Sequence, residues 1–225
     1  MTDEESKREI VIPGEVIVKG SNYLPGEGTE KRGEEIIALR YGLTEENNKL
    51  VRIIPLSGTY QPRRGNVIIG KIQDIVFNGW LVDIDAPNSA FLSVAEFPRY
   101  INANDLVEHL DIGDVLVAKV QGVKRKGMEL TVKGRGLGKL EEGMIIKVNP
   151  NKVPRIIGKE GSMVKLIKDE SGANITVGQN GLIWLKGDTL DSELLAKKAI
   201  HFITERSFVS GLTEKVKEWF DKEKK

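Results

Sequence analysis

The chain has 225 residues, 40% hydrophobic and 30% charged, a balance that supports one to three compact domains with buried cores. It has no cysteine and only two isolated histidines, His109 and His201, which excludes disulfides and thiolate-bound zinc, so no metal site and no cofactor is expected. No apolar run is long enough to span a bilayer, and the opening MTDEESKRE is charged where a secretory signal is apolar, so no membrane is expected and the location is expected to be cytoplasmic.

The net charge of +1 hides a gradient. Residues 1–62 carry 8 basic and 11 acidic side chains (net −3), residues 63–137 carry 10 and 9 (net +1), and residues 138–225 carry 16 and 13 (net +3). Three domains are expected over these same segments. In the first, residues 1–9 are nearly all charged or polar and are expected to be disordered. Residues 15–18 read as a strand, and residues 22–33, with Pro25-Gly26 and Gly28, as a long loop. Residues 36–41 and 49–56 read as a hairpin across Gly42 and the polar residues 44–48. This small antiparallel β domain has no nucleophile–base pair, phosphate loop or metal cluster, so packing against another protein is its expected role.

The second segment offers strands at residues 67–76, 79–85, 90–94, 114–123 and 128–133, the last two joined by the basic turn Lys124-Arg125-Lys126-Gly127. Five short strands in about 75 residues fit a small closed barrel of the OB type. Phe77 and Trp80 flank Asn78-Gly79 and have two readings: core aromatics, or rings that reach solvent at a strand junction and stack on bases. Asp83 and Asp85 share a strand face, with no third ligand at metal spacing, and read as a solvated face.

Gly134, Gly136 and Gly138 read as a flexible connector; GRGLGK lacks the spacing of a nucleotide-binding P-loop. Beyond it the pattern is a strand at 143–148, a short helix at 153–157, a helix at 162–171 stopped by Gly172, and a hairpin of 173–177 with 182–186. Leu195, Ala199, Phe202 and Ile203 form one apolar face of a long helix. Leu212, Val216, Trp219 and Phe220 form a stripe on a last helix, expected to dock on its own domain.

Between the two short helices stands Gly158-Lys159-Glu160-Gly161. Two glycines at this spacing let a nucleic-acid backbone approach the main chain, and the following helix presents unpaired N–H groups to a phosphate. Lys152, Arg155, Lys159, Lys165 and Lys168 surround the loop, opposed over that span by Glu160 alone.

The string V-P-x-I-I-G-K-x-G, followed by S-G-A-x-I, resembles a KH RNA-binding domain, and the order β-α-α-β-β-α is that of its type I fold. GNVIIGKIQDIVFNGWLVDI resembles the opening of an S1 RNA-binding domain, with Phe77 and Trp80 in its aromatic positions and FLSVAEF at its third strand; S1 domains usually have a histidine where Ser93 stands. In this order, after an N-terminal β domain, the motifs resemble the S1/KH cap subunit family of the archaeal RNA exosome.

That resemblance implies a mainly β plus α+β chain: an N-terminal antiparallel β domain, an S1-type OB-fold barrel and a type I KH domain. It implies a non-catalytic subunit that captures single-stranded RNA and guides its 3′ end into a ring of RNase PH-like phosphorolytic subunits, with three copies per ring. The implied RNA contacts are Gly158, Lys159, Glu160 and Gly161 with Arg155, Ile157, Lys165 and Lys168, and on the barrel Phe77, Trp80, Lys124, Arg125 and Lys126. Two other readings are a transcription antitermination-type S1/KH factor and a phosphorolytic RNase. The first generally carries a second KH unit, and the second needs catalytic domains for which this chain has no room.

Overall fold

A computed structural model describes residues 9–102, 105–124, 127–206, 209 and 211–223. Residues 1–58 form one compact unit and residues 59–225 another. In the first unit, β1 (Ile10–Val11), β2 (Val16–Lys19), β3 (Leu24–Pro25), β4 (Thr29–Arg32), β5 (Glu35–Ala38), β6 (Gly42–Asn47) and β7 (Leu50–Pro55) form two small sheets, ordered β1-β6-β7-β3 and β2-β5-β4.

Two expectations are corrected here. The stretch read as a loop contains β3 and β4, because its Pro and Gly residues mark only the turns; buried Thr29 ties it down, its hydroxyl accepting from Gly26 N–H (2.9 Å) and donating to Val51 O (3.0 Å). The partner of β7 is Gly42–Asn47 rather than residues 36–41. The reversal falls on Asn48 and Lys49, both at positive φ (49° and 67°), which suits the twist of a two-residue hairpin. Gly42 lies in the strand because a Cβ there would run into Ile53 and Ile54 O.

The core of this unit is small: Val11, Ala38 and Ile53 cluster, with Ile17 packed on them. Ile10, Ile12, Leu24, Leu39 and Leu50 remain exposed.

In the second unit, β8 (Val67–Val76), β9 (Gly79–Asp83), β10 (Ala90–Ser93), β11 (Val115–Lys124) and β12 (Gly127–Thr131) close into a barrel: the order is β12-β10-β9-β8-β11, and β11 also pairs with β12. β10 and β12 run parallel. The inward set Ile68, Ile72, Trp80, Val82, Ile84, Leu92, Leu116 and Leu130 fills the interior. A short helix, α1 (Leu106–His109), adds Leu106 to that core. The residues read as a connector do more than link: β13 (Gly138–Leu140) pairs with Val115–Val117 of β11.

The chain continues as β14 (Met144–Lys147), α2 (Val153–Ile157), α3 (Ser162–Ser171), β15 (Asn174–Val177), β16 (Leu182–Lys186), α4 (Leu190–Glu205) and α5 (Leu212–Glu223). The sheet order β14-β16-β15 and the helices around it share a core that includes Ile156, Ile167, Ile183, Leu185, Ala199 and Ile203. Gly172 at φ 72° ends α3 in the left-handed conformation, and the Thr189 hydroxyl accepts from Ser192 N–H to open α4. Buried Leu212, Val216 and Phe220 dock α5 on this core.

The barrel and this second sheet are joined by a tight turn. Where β9 ends, β8 has backbone groups left for a partner, and residues 178–181 supply one. Gln179 N–H donates to Val67 O (2.8 Å), and its side-chain oxygen accepts from Val67 N–H (2.9 Å). Asn180, 1% exposed, accepts from Ile69 N–H (3.2 Å) and donates to Ile69 O (2.7 Å) and Ile84 O (2.8 Å). Lys147 pairs with Asp85 beside it (2.7 Å), so Asp85 serves this junction.

Candidate nucleic-acid interface

The G-x-x-G loop is built by backbone conformations that side chains resist. α2 stops at Gly158, whose φ 73° and ψ 176° belong to a region populated almost only by glycine. A Cβ on Gly158 would also lie 2.7 Å from Met163 N. Glu160 follows in the left-handed region at φ 54°, and Gly161 at φ 79° opens α3 with no side-chain cap on the helix N–H groups. Nothing but Val164, at 3.9 Å, lies near the position of a Gly161 Cβ. The two glycines therefore differ: Gly158 is required by the fold of the loop, whereas Gly161 faces open space.

Around this bare backbone, Arg155, Lys159, Lys165 and Lys168 are exposed and Ile157 is half-buried. Met163, Ile167 and Ser171 bury one face of α3, which turns Lys165 and Lys168 outward, roughly 6 and 10 Å along the helix from Gly161. Glu160 is also exposed. Lys152 is committed elsewhere, its ammonium donating to Thr204 O near the end of α4 (2.8 Å).

The barrel candidates do not come together. Phe77, in the β8–β9 turn, is 90% exposed. Trp80 is 0% exposed: its ring lies in the barrel core 5.0 Å from Phe97, and its indole N–H donates to Leu110 O (2.9 Å). That burial removes Trp80 from the candidate RNA surface, and Trp80, Val82 and Ile84 alternate inward as a core strand does. Lys124 pairs with Glu129 (2.5 Å) in the β11–β12 hairpin, whose neighbours Ala90 and Met128 place it at the barrel end opposite Phe77. Arg125 and Lys126 lie outside the described residues. The Ser93 hydroxyl accepts from Ala95 N–H and caps a single helical turn, Val94–Glu96.

Among the described residues, no group of three or more His, Asp or Glu side chains is placed to hold a metal ion, and no helix is long and apolar enough to cross a membrane.

Residues 143–202 match the KH domain family. Over 93% of this chain and 70% of its own length, the exosome complex component Rrp4 of Methanobrevibacter smithii is 45% identical. The chain belongs to the Rrp4 exosome-component family. The Rrp4 proteins of Pyrococcus furiosus (41% identical; 93% of this chain, 81% of that protein) and Methanothermus fervidus (40%; 95% of each) agree with this membership. A crystal structure assigned as an exosome complex RNA-binding protein superposes with a TM-score of 0.67 at 37% identity, covering 74% of this chain and 98% of that one.

Proposed function

We propose that this Rrp4-family chain is a non-catalytic RNA-binding subunit of an exosome. The observation that carries this reading is the exposed G-x-x-G backbone, uncapped at the N-terminus of α3 and ringed by Arg155, Lys159, Lys165 and Lys168, in a chain whose relatives are exosome components. Phosphates of a single strand would lie along Lys159-Glu160-Gly161, with Ile157 beside the bases. The small surplus of +3 over residues 138–225 implies weak binding by one copy, so several copies held together would be needed for firm capture.

In finer terms, the subunit sits in the cytoplasm, three copies to a ring of RNase PH-like subunits, and passes RNA 3′ ends to the ring. Ile10, Ile12, Leu24, Leu39 and Leu50, exposed on a unit with a small core, support residues 10–58 as the docking surface. The antitermination reading and the nuclease reading have no such support.

Co-purification from the native cell tests the assignment: exosome ring nucleases should accompany the chain, and recovery of RNA polymerase instead would overturn it. The purified chain should leave RNA unshortened with or without phosphate or magnesium, and shortening by a preparation free of other nucleases would reject the non-catalytic role.

A further inference from the structure

The apolar stripe of α5 divides in two. Leu212, Val216 and Phe220 are buried and dock the helix on its core, whereas Trp219 is half-buried and lines a groove of about 430 Å³ between α5 and α4. Leu194 and Phe202 of α4 line the same groove. The Phe202 and Trp219 rings stand 5.4 Å apart, and the Arg206 guanidinium lies 4.1 Å from the Phe202 ring. The Trp219 indole N–H has no hydrogen-bond acceptor among the described residues, although a tryptophan drawn out of water usually finds one.

The groove has the form of a seat for a third helix. Lys198 pairs with Glu223 (3.1 Å) and Phe202 packs on Trp219, so α4 and α5 run antiparallel. Leu194 to Glu205 covers three turns of α4, about 16 Å. Both carboxylates of the groove are engaged, Glu223 by Lys198 and Glu205 by Arg206 (3.5 Å). Lys197 on the α4 wall has no carboxylate partner among the described residues, nor have Lys215 and Lys222, which stand one turn before and after Trp219 on its outward side. Glu218 is turned about 100° from Trp219 around α5. The free charge on both walls is therefore positive, above an apolar floor.

We infer that this groove docks an acidic amphipathic helix of another protein. Apolar side chains of the incoming helix seat on Leu194, Phe202 and Trp219, and the carboxylates flanking them pair with Lys197, Lys215 and Lys222. Trp219 is the central anchor, a large ring with a donor still free. A nucleic-acid strand fits less well, because its phosphates would run past Glu205 and Glu223. Docking there needs no RNA at the G-x-x-G loop.

The test uses the full chain and, as probe, a synthetic peptide of about 18 residues with leucines at i, i+4 and i+7 flanked by glutamates. In the nitrogen-15-labelled chain, the Trp219 indole N–H resonance, identified by its loss in Trp219→Phe, should shift and saturate, while that of Trp80, inside the barrel, stays unchanged. Trp219→Ala should weaken binding by at least about 30-fold. Lys197→Glu should weaken it by about 2- to 30-fold, and this surface change keeps the test decisive if Trp219→Ala loosens α5. A lysine-flanked peptide should bind Lys197→Glu better than it binds the unaltered chain. No saturable shift up to about 1 mM peptide would overturn the inference. So would an equal shift from a peptide of the same composition in scrambled order, which has no apolar stripe. A shift produced by a single-stranded oligoribonucleotide and not by the peptide would make the groove a nucleic-acid contact and overturn it as well.

Discussion

Replacing Asn180 by leucine should separate the KH-like part from the barrel without unfolding either. The side chain is 1% exposed and satisfies three backbone groups, Ile69 N–H, Ile69 O and Ile84 O. Leucine has similar bulk and no polar atoms, so all three would be left buried and unpaired at roughly 1–3 kcal/mol each. The sum overstates the effect, because each part has its own core and the turn can lift off and let water in. The loss is therefore capped by the free energy of docking and falls at the low end of the summed range, about 3–4 kcal/mol. Hydrogen exchange reads this locally: the amides of Ile69 and Gln179, both bonded across the junction, should exchange about 100- to 1,000-fold faster, while those of Val82 and Leu92 inside the barrel stay protected. Asn180→Ala should do less, since water can enter the space. Unchanged exchange at Ile69 and Gln179, or an equal rise throughout the barrel, would refute the reasoning.

The loop glycines should part company on substitution. Gly161→Asp should leave the chain folded and weaken RNA binding, whereas Gly158→Ala should destabilise the loop by about 1–3 kcal/mol, read by denaturant unfolding, because it meets both a glycine-only conformation and Met163 N. Burial pushes the Asp114 carboxyl up, but the Lys139 hydrogen bond, the Asp111 N–H and the Lys139 charge together hold it below the usual aspartate range. Its stabilising effect is thus present above about pH 4 and lost as pH falls through the lowered value, so Lys139→Met should flatten the acid limb of an unfolding profile. Burial pushes the Tyr60 phenol up to about 12, partly opposed by the Arg63 N–H. That stabilisation is complete below about pH 10 and disappears as pH rises towards the folded value; ultraviolet titration should show one late tyrosine, absent in Tyr60→Phe.

What the sequence disclosed follows from how local each signal is. The helices and strands around the G-x-x-G loop carry their own caps, stops and apolar periods, so residues 143–205 could be read directly. Trp80 is ambiguous in the sequence because Asn78-Gly79 sets it beside Phe77 across a turn. Its alternation with Val82 and Ile84 is the signal that assigns it to the core. In the N-terminal unit, Gly42 drew the turn away from Asn48-Lys49, a reversal with no glycine to mark it. Asn180 reads as an ordinary turn residue, since its burial depends on the distant β8. Tyr100 has no period at all: only the structure shows Phe97 and Ile101 turned inward on either side of it.

On the proposed RNA-binding reading, the junction also bears on how an RNA contact beside Gly158–Gly161 would combine with one at Phe77. It grips β8 at Val67 and Ile69, whereas Phe77 lies just past the other end of that strand. Eight residues at about 3.3 Å each set Phe77 up to about 26 Å along the strand from the grip at Ile69. Were the two parts joined by a loose linker, RNA bound at one would meet the other at a concentration diluted over every relative orientation. A satisfied, buried joint removes most of those orientations before RNA arrives, so a strand long enough to reach both would gain from the second contact without that entropic loss. A shorter strand would engage one contact and gain nothing from the joint, so on the RNA-binding reading Asn180→Leu should flatten the growth of affinity with RNA length, read by titrating oligoribonucleotides of increasing length; an unchanged length dependence would refute it.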